Sequence, residues 1–254
     1  MRYFLRCLAI SMLALWSIRS SEADCLGSRV TFESDGWQIV ADLYLPAHLS
    51  GKVPVVLLFN KAAGDRTAYR NLACELQRKH TASLATDLRG HGESTNLGRF
   101  EPGKNTAILD NTHRDVIAAM RFVGRIRSID SSRIALVGAS YSGEAVSVAS
   151  QSSGMVRAIV ALSPGSLSDE SINGIDSRCV PWLIIVSRDE KHLKQVFTEV
   201  IARSHLAETI EMSGTAHATD LLETHPELNA MIAAWVTWKL SSGRCKEDAR
   251  LLDR

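Results

Sequence analysis

Short apolar runs that alternate with helical patterns constrain this chain more than any other feature. Residues 53–59 read VPVVLLF, apolar at every position and so apolar on both faces of a strand. Such a strand must be covered on both sides, as in a parallel sheet sandwiched between helices. The pattern recurs, predicting strands at 83–86, 133–137, 156–162, 180–186 and 206–212, and helices at 67–79, 112–126, 141–152, 190–203 and 226–240. That alternation is the signature of an α/β fold with a mostly parallel sheet. Ahead of it, two β-rich segments, 29–34 and 37–45, are joined by Asp35-Gly36, a strong hairpin signal, and Pro46 closes the second. An antiparallel hairpin is therefore expected to lead in the parallel sheet. The stretch 163–178 (SPGSLSDESINGIDSR) is the one long polar interruption. It is too short to make a cap domain, so a site at that edge of the sheet is expected to be open. Trp235 and Trp238, three apart on the last predicted helix, read as core residues.

The 254 residues are 45% apolar and 22% charged, a composition that folds, and their formal charge of +1 leaves no electrostatic footprint for nucleic acid. The first 23 residues stand apart. Arg2 and Arg6 precede an apolar run over 7–18, and Ser21-Glu22-Ala23 places small residues at a cleavage position. This is the pattern of a secretory signal peptide cut after Ala23. The run is stopped by Arg19, short of the roughly 20 apolar residues of a membrane span, so no stable membrane insertion is expected after cleavage. Residues 24–254 show no repeat or linker and read as a single domain, secreted or periplasmic. Export would place Cys25, Cys74, Cys179 and Cys245 in an oxidising compartment, with three pairings open. None has metal-ligand spacing, and no metal is expected.

Gly138-Ala139-Ser140-Tyr141-Ser142-Gly143 lies between a buried strand and a helix. A serine there is forced into a tight turn that lifts its hydroxyl above the sheet edge, and the turn needs small residues two before and two after. Gly138 and Ser142 meet that need, which makes Ser140 the candidate nucleophile of an elbow. A serine hydroxyl needs a base, and the base needs an acid to hold its tautomer. Catalytic groups in this architecture gather at the carboxyl ends of strands. Strand 180–186 is followed by Ser187-Arg188-Asp189-Glu190, and strand 206–212 by Ser213-Gly214-Thr215-Ala216-His217. Their order of serine, acid, histidine is the one expected behind an elbow nucleophile. His217 is thus the candidate base. His205 lies at the wrong end of its strand, His192 and His225 sit at helix starts, and His48, His80 and His113 fall outside the order. Asp189 is the favoured acid, although a shift of one residue in the strand end would exchange it for Glu190. Oxyanion donors are expected from the backbone N–H of Tyr141 and, in the loop Asn60-Lys61-Ala62-Ala63-Gly64, from that of Ala62.

With these residues in place the chain resembles the α/β-hydrolase superfamily along its length after residue 23. Asp87-Leu88-Arg89-Gly90-His91-Gly92-Glu93-Ser94 is similar to the superfamily's segment after its fourth strand, in which His91 is structural. The hairpin, the lidless layout and Phe59-Asn60-Lys61-Ala62-Ala63-Gly64 are most similar to small exported or dienelactone-hydrolase-like serine esterases. Ser140 replaces the cysteine nucleophile of dienelactone hydrolases, which moves the expected substrate towards ordinary esters. Asn60-Lys61 replaces the frequent His-Gly pair of the oxyanion loop. The resemblance implies a sheet of about eight strands with the first and second antiparallel at one edge. It also implies a disulfide between Cys179 and Cys245, with Cys25 to Cys74 as a second pairing. The expected activity is that of a serine carboxylesterase on small or medium acyl esters, needing no cofactor. Two alternatives stay open: an amidase or peptidase using the same triad, and a binding protein that keeps the fold without catalysis.

Overall fold

A computed structural model of the chain describes residues 25–242. The signal segment predicted at 1–23 lies outside the described residues, and so does Cys245. The strands are β1 (Ser28–Ser34), β2 (Trp37–Tyr44), β3 (Val53–Phe59), β4 (Ala82–Thr86), β5 (Ile129–Ala139), β6 (Val156–Leu162), β7 (Trp182–Ser187) and β8 (Ala207–Met212). The helices are α1 (Arg70–Arg78), α2 (Thr112–Val123), α3 (Ser142–Gln151), α4 (Asp169–Ser177), α5 (Lys194–Arg203), α6 (Leu221–Thr224) and α7 (Glu227–Ser241). No helix among the described residues is long and apolar enough to cross a membrane.

The strands form one sheet in the order β1-β2-β4-β3-β5-β6-β7-β8. β1 pairs antiparallel with β2, β2 antiparallel with β4, and every later pair is parallel. Asp35 (φ 48°) and Gly36 (φ 80°) both take positive φ in the hairpin turn, the conformation whose twist matches that of the two strands. The parallel strands divide their side chains between two cores, one on each face of the sheet. Val55, Leu57, Phe59, Ile134, Leu136, Ile159, Trp182 and Ile184 pack with α2 and α3 on one face. Val56, Leu58, Ala135, Val137, Val160, Leu183 and Ile185 pack with α1 and α7 on the other. Period-2 alternation with apolar residues at every position is therefore what lets helices cover both faces.

Four features depart from the sequence reading. Helices expected at 67–79 and 190–203 begin as 3-10 turns, at Arg66–Tyr69 and Lys191–Leu193, before becoming α-helical. The polar stretch 163–178 is not irregular throughout, because α4 forms inside it. Ser168 Oγ accepts the Ser171 N–H at 3.1 Å, Asp169 and Glu170 occupy the first turn, and Ile172 is buried. A capping side chain and acidic first turn thus offset a low apolar content. Trp238 is 59% exposed, contrary to the core role expected; the Lys239 ammonium lies 4.4 Å from its ring centroid. Trp235 packs against the core as expected.

The disulfide is the fourth. Cys179 carries a free thiol, and Cys25 is bonded to Cys74, which reverses the expected preference. The physical reason lies in what each bond can tie. Cys25 precedes the edge strand β1 and Cys74 sits on α1, so their bond fastens the start of the described chain to the layer of helices. With a sequence separation of 49 between the two cysteines, loop-closure entropy gives the bond about 2–4 kcal/mol of stabilisation. Cys25→Ser and Cys74→Ser variants should each lose that amount in denaturant unfolding, and reduction of the wild type should reproduce the loss.

Candidate active site

The chain runs from β3 through α1 to β4 on one side, then returns past β3 through α2 to β5 on the other. This reversal puts a crevice between the carboxyl ends of β3 and β5, the place where open α/β sheets bind ligands. Phe59 of β3 pairs with Gly138 of β5, so the loops that follow them start level with each other.

Ser140 sits on that edge at φ 56°, left-handed backbone that costs a non-glycine residue on the order of 1–3 kcal/mol. The surrounding structure holds it there. Ser140 N–H donates to Leu162 O at 2.9 Å, and Gly143 N–H donates to Ser140 O at 3.0 Å. A Cβ on Gly138 would lie 2.4 Å from Ser142 O, so the position two before the serine must be glycine. The position two after needs only to be small, and Ser142 uses its hydroxyl there. Its Oγ accepts the Ala139 N–H at 2.6 Å and lies 3.1 Å from Phe59 O and 3.0 Å from Ala139 O, either of which can take its proton. The elbow is thereby stitched to the end of β3.

His217 Nε2 lies 2.9 Å from Ser140 Oγ, and its Nδ1 lies 2.6 Å from Glu190 Oε1. A carboxylate can only accept, so Nδ1 carries the hydrogen and Nε2 presents its lone pair to the serine. The partner of His217 is therefore Glu190 and not Asp189. β7 runs to Ser187, one residue beyond its expected end, and a turn closed by Glu190 N–H to Ser187 O at 3.2 Å carries Asp189 to the outside. Asp189 is exposed, and Glu190 is buried at 5% exposure. Two residues that sequence reasoning missed fix the carboxylate. Ser163 Oγ donates to Glu190 Oε2 at 2.7 Å, and the Ser187 N–H donates to the same oxygen at 2.9 Å. Ser187 Oγ also donates to Ala216 O at 2.6 Å, which anchors the loop bearing His217. Both serines stand at the carboxyl ends of their strands, the same positional signal that identified Ser140.

The loop proposed for the oxyanion, residues 60–64, is shaped by Asn60. Its Oδ1 accepts the Leu88 N–H at 2.9 Å, and its Nδ2 donates to Lys61 O at 2.8 Å and Gly64 O at 3.2 Å. A trans peptide places C=O and N–H on opposite sides, so turning Lys61 O towards Asn60 aims the Ala62 N–H the other way. The Tyr141 amide is aimed by the same logic, since Ser140 O is taken by Gly143 N–H and, at 3.4 Å, by Gly165 N–H. Lys61 Nζ reaches Asp220 Oδ2 at 2.5 Å, tying this loop to the turn after His217.

The segment after β4 is structural. Asp87 is fully buried and accepts the N–H groups of Arg66 and Glu93 as well as the Arg66 guanidinium. Arg89 pairs with the buried Asp115 at 2.6 Å. His91 stacks between Phe100 and Tyr141, with ring centroids 4.9 and 5.7 Å away, and burial pushes its pKa below the usual histidine value. It packs against Tyr141, the residue that follows Ser140. Among the described residues no group of three or more His, Cys, Asp or Glu side chains is placed to hold a metal ion.

Solved structures share this architecture at low identity. Est1E from Butyrivibrio proteoclasticus with bound ferulic acid superposes with a TM-score of 0.67 at 16% identity, covering 81% of this chain and 98% of that one. An alpha-beta serine hydrolase homologue from Coxiella burnetii gives 0.63 at 18%, covering 82% and 96%. A dienelactone hydrolase from Anabaena variabilis gives 0.62 at 16%, covering 83% and 94%. No curated protein matches the chain. The fold is that of the α/β-hydrolases, and a family model described as X-Pro dipeptidyl-peptidase (S15 family) matches residues 35–228, most of the chain: the protein belongs to that family of hydrolases.

Proposed function

We propose that this hydrolase is an exported serine carboxylesterase working through Ser140, His217 and Glu190. The observation that carries the reading is the hydrogen-bonded chain from Ser140 Oγ through His217 to Glu190, at 2.9 and 2.6 Å. Ser140 Oγ attacks the ester carbonyl carbon while His217 Nε2 takes its proton, and the imidazolium that forms is stabilised by Glu190. The Tyr141 and Ala62 amides receive the oxyanion. His217 returns the proton to the leaving alcohol, and water then releases the acid from Ser140 by the reverse sequence. Every proton in this route is carried by side chains already present, so no cofactor is required. The Cys25 to Cys74 disulfide and the leader-like residues 1–23 favour export, and the partner of this reading is a small-molecule ester substrate.

The family description favours a second reading, cleavage of an amide bond by the same groups. Comparing p-nitrophenyl esters with Xaa-Pro p-nitroanilides on the wild type separates the two. Ester turnover well above anilide turnover is expected, and turnover of anilides alone would replace the esterase reading with the peptidase one.

A further inference from the structure

We propose that Gly165 is the size filter of this site, its missing side chain admitting branching at the carbon next to the scissile carbonyl. The proposal rests on the serine-hydrolase reading above and deepens it. A Cβ at residue 165 would lie 3.9 Å from Ser140 Oγ and within 4 Å of nothing else outside its chain neighbours. The backbone there is not left-handed, so an L side chain would fit the fold without strain. The space it would enter is the substrate's. A carbonyl carbon poised for attack stands about 3–3.5 Å from the nucleophile, and neighbouring carbons pack at about 3.5–4.0 Å, so a side chain at 165 and a branch beside the carbonyl would compete for one shell.

The loop cannot retreat to make room. Ser163 N–H donates to Ile185 O at 2.8 Å, and its hydroxyl donates to Glu190. Pro164 lies against α3, where a Cβ on Gly143 would meet Pro164 Cβ at 3.0 Å. Gly165 N–H donates to Ser140 O. Three consecutive residues are thus fastened to the nucleophile, its helix and the acid. The leaving oxygen must face His217 Nε2 to receive its proton, whereas a Cβ at 165 would have no His217 atom within 4 Å, so the crowding is read as falling on the acyl side. The substrate class is then esters of α-branched as well as linear short acids.

The test compares kcat/KM for p-nitrophenyl isobutyrate and p-nitrophenyl acetate, which share a leaving group, in the wild type, Gly165→Ala and Gly165→Val. The wild type should accept both. The isobutyrate-to-acetate ratio should fall stepwise, reaching a loss of about tenfold or more in Gly165→Val, with thermal unfolding unchanged. An unchanged ratio, an equal loss of both esters in folded variants, or a wild type that takes acetate and refuses isobutyrate would overturn the proposal. Failure of the underlying reading looks different: the wild type would turn over neither ester and show no Ser140-dependent reaction with a fluorophosphonate probe.

Discussion

Glu190→Gln should lower kcat/KM by about 10⁴-fold, while Asp189→Asn should leave it within about twofold. The Glu190 carboxylate accepts three hydrogen bonds, from His217 Nδ1, Ser163 Oγ and the Ser187 N–H. A glutamine that keeps its oxygen on the two serine donors turns its amide nitrogen towards His217. The imidazole must then accept at Nδ1 and carry its hydrogen at Nε2, the wrong tautomer for receiving the proton of Ser140. Because glutamine preserves the volume, thermal unfolding should change far less than turnover. Asp189, by contrast, is exposed and contributes backbone hydrogen bonds, its N–H donating to Gly214 O at 3.1 Å and its O accepting the Lys191 N–H at 2.9 Å. Loss of activity in the Asp189 variant with retention in the Glu190 variant would contradict the assignment.

Gly138→Ala should cost both stability and activity. The added Cβ would stand 2.4 Å from Ser142 O, 2.7 Å from Ser142 C and 2.9 Å from Gly143 Cα. All three are backbone atoms of the elbow, so relief requires moving the turn and not merely rotating a side chain. Overpacking of this kind costs about 1–3 kcal/mol, and displacing the nucleophile by about 1 Å costs about 100-fold in rate. Denaturant unfolding and ester turnover of the same preparation would measure the two losses together. Wild-type turnover in Gly138→Ala would show that the elbow tolerates a side chain there.

Much of this was legible because strand ends are legible. VPVVLLF at 53–59 and VRAIVAL at 156–162 are bounded in the structure where their apolar runs stop, and a nucleophile or base is recognised by standing just past such a run. Ser140 does, directly after β5, and His217 follows five residues past the end of β8. Glu190 against Asp189 was not legible, because the choice depends on β7 extending to Ser187 and on a turn that directs neighbouring residues oppositely. Helix α4 escaped because its stability comes from capping at Ser168 and few apolar contacts, a signal weaker than periodicity. The disulfide escaped for a different reason, since cysteine spacing says nothing about which surfaces meet. Gly165 belongs with these: its meaning is a distance to Ser140 Oγ that only the assembled loops create.

The central claim is that Ser140 is a nucleophile activated by His217. Purified protein treated with a fluorophosphonate probe and digested should carry the adduct on the peptide containing Ser140, and labelling should disappear in Ser140→Ala and fall steeply in His217→Ala. A folded wild type that stays unlabelled, or an adduct that persists in Ser140→Ala, would contradict the account.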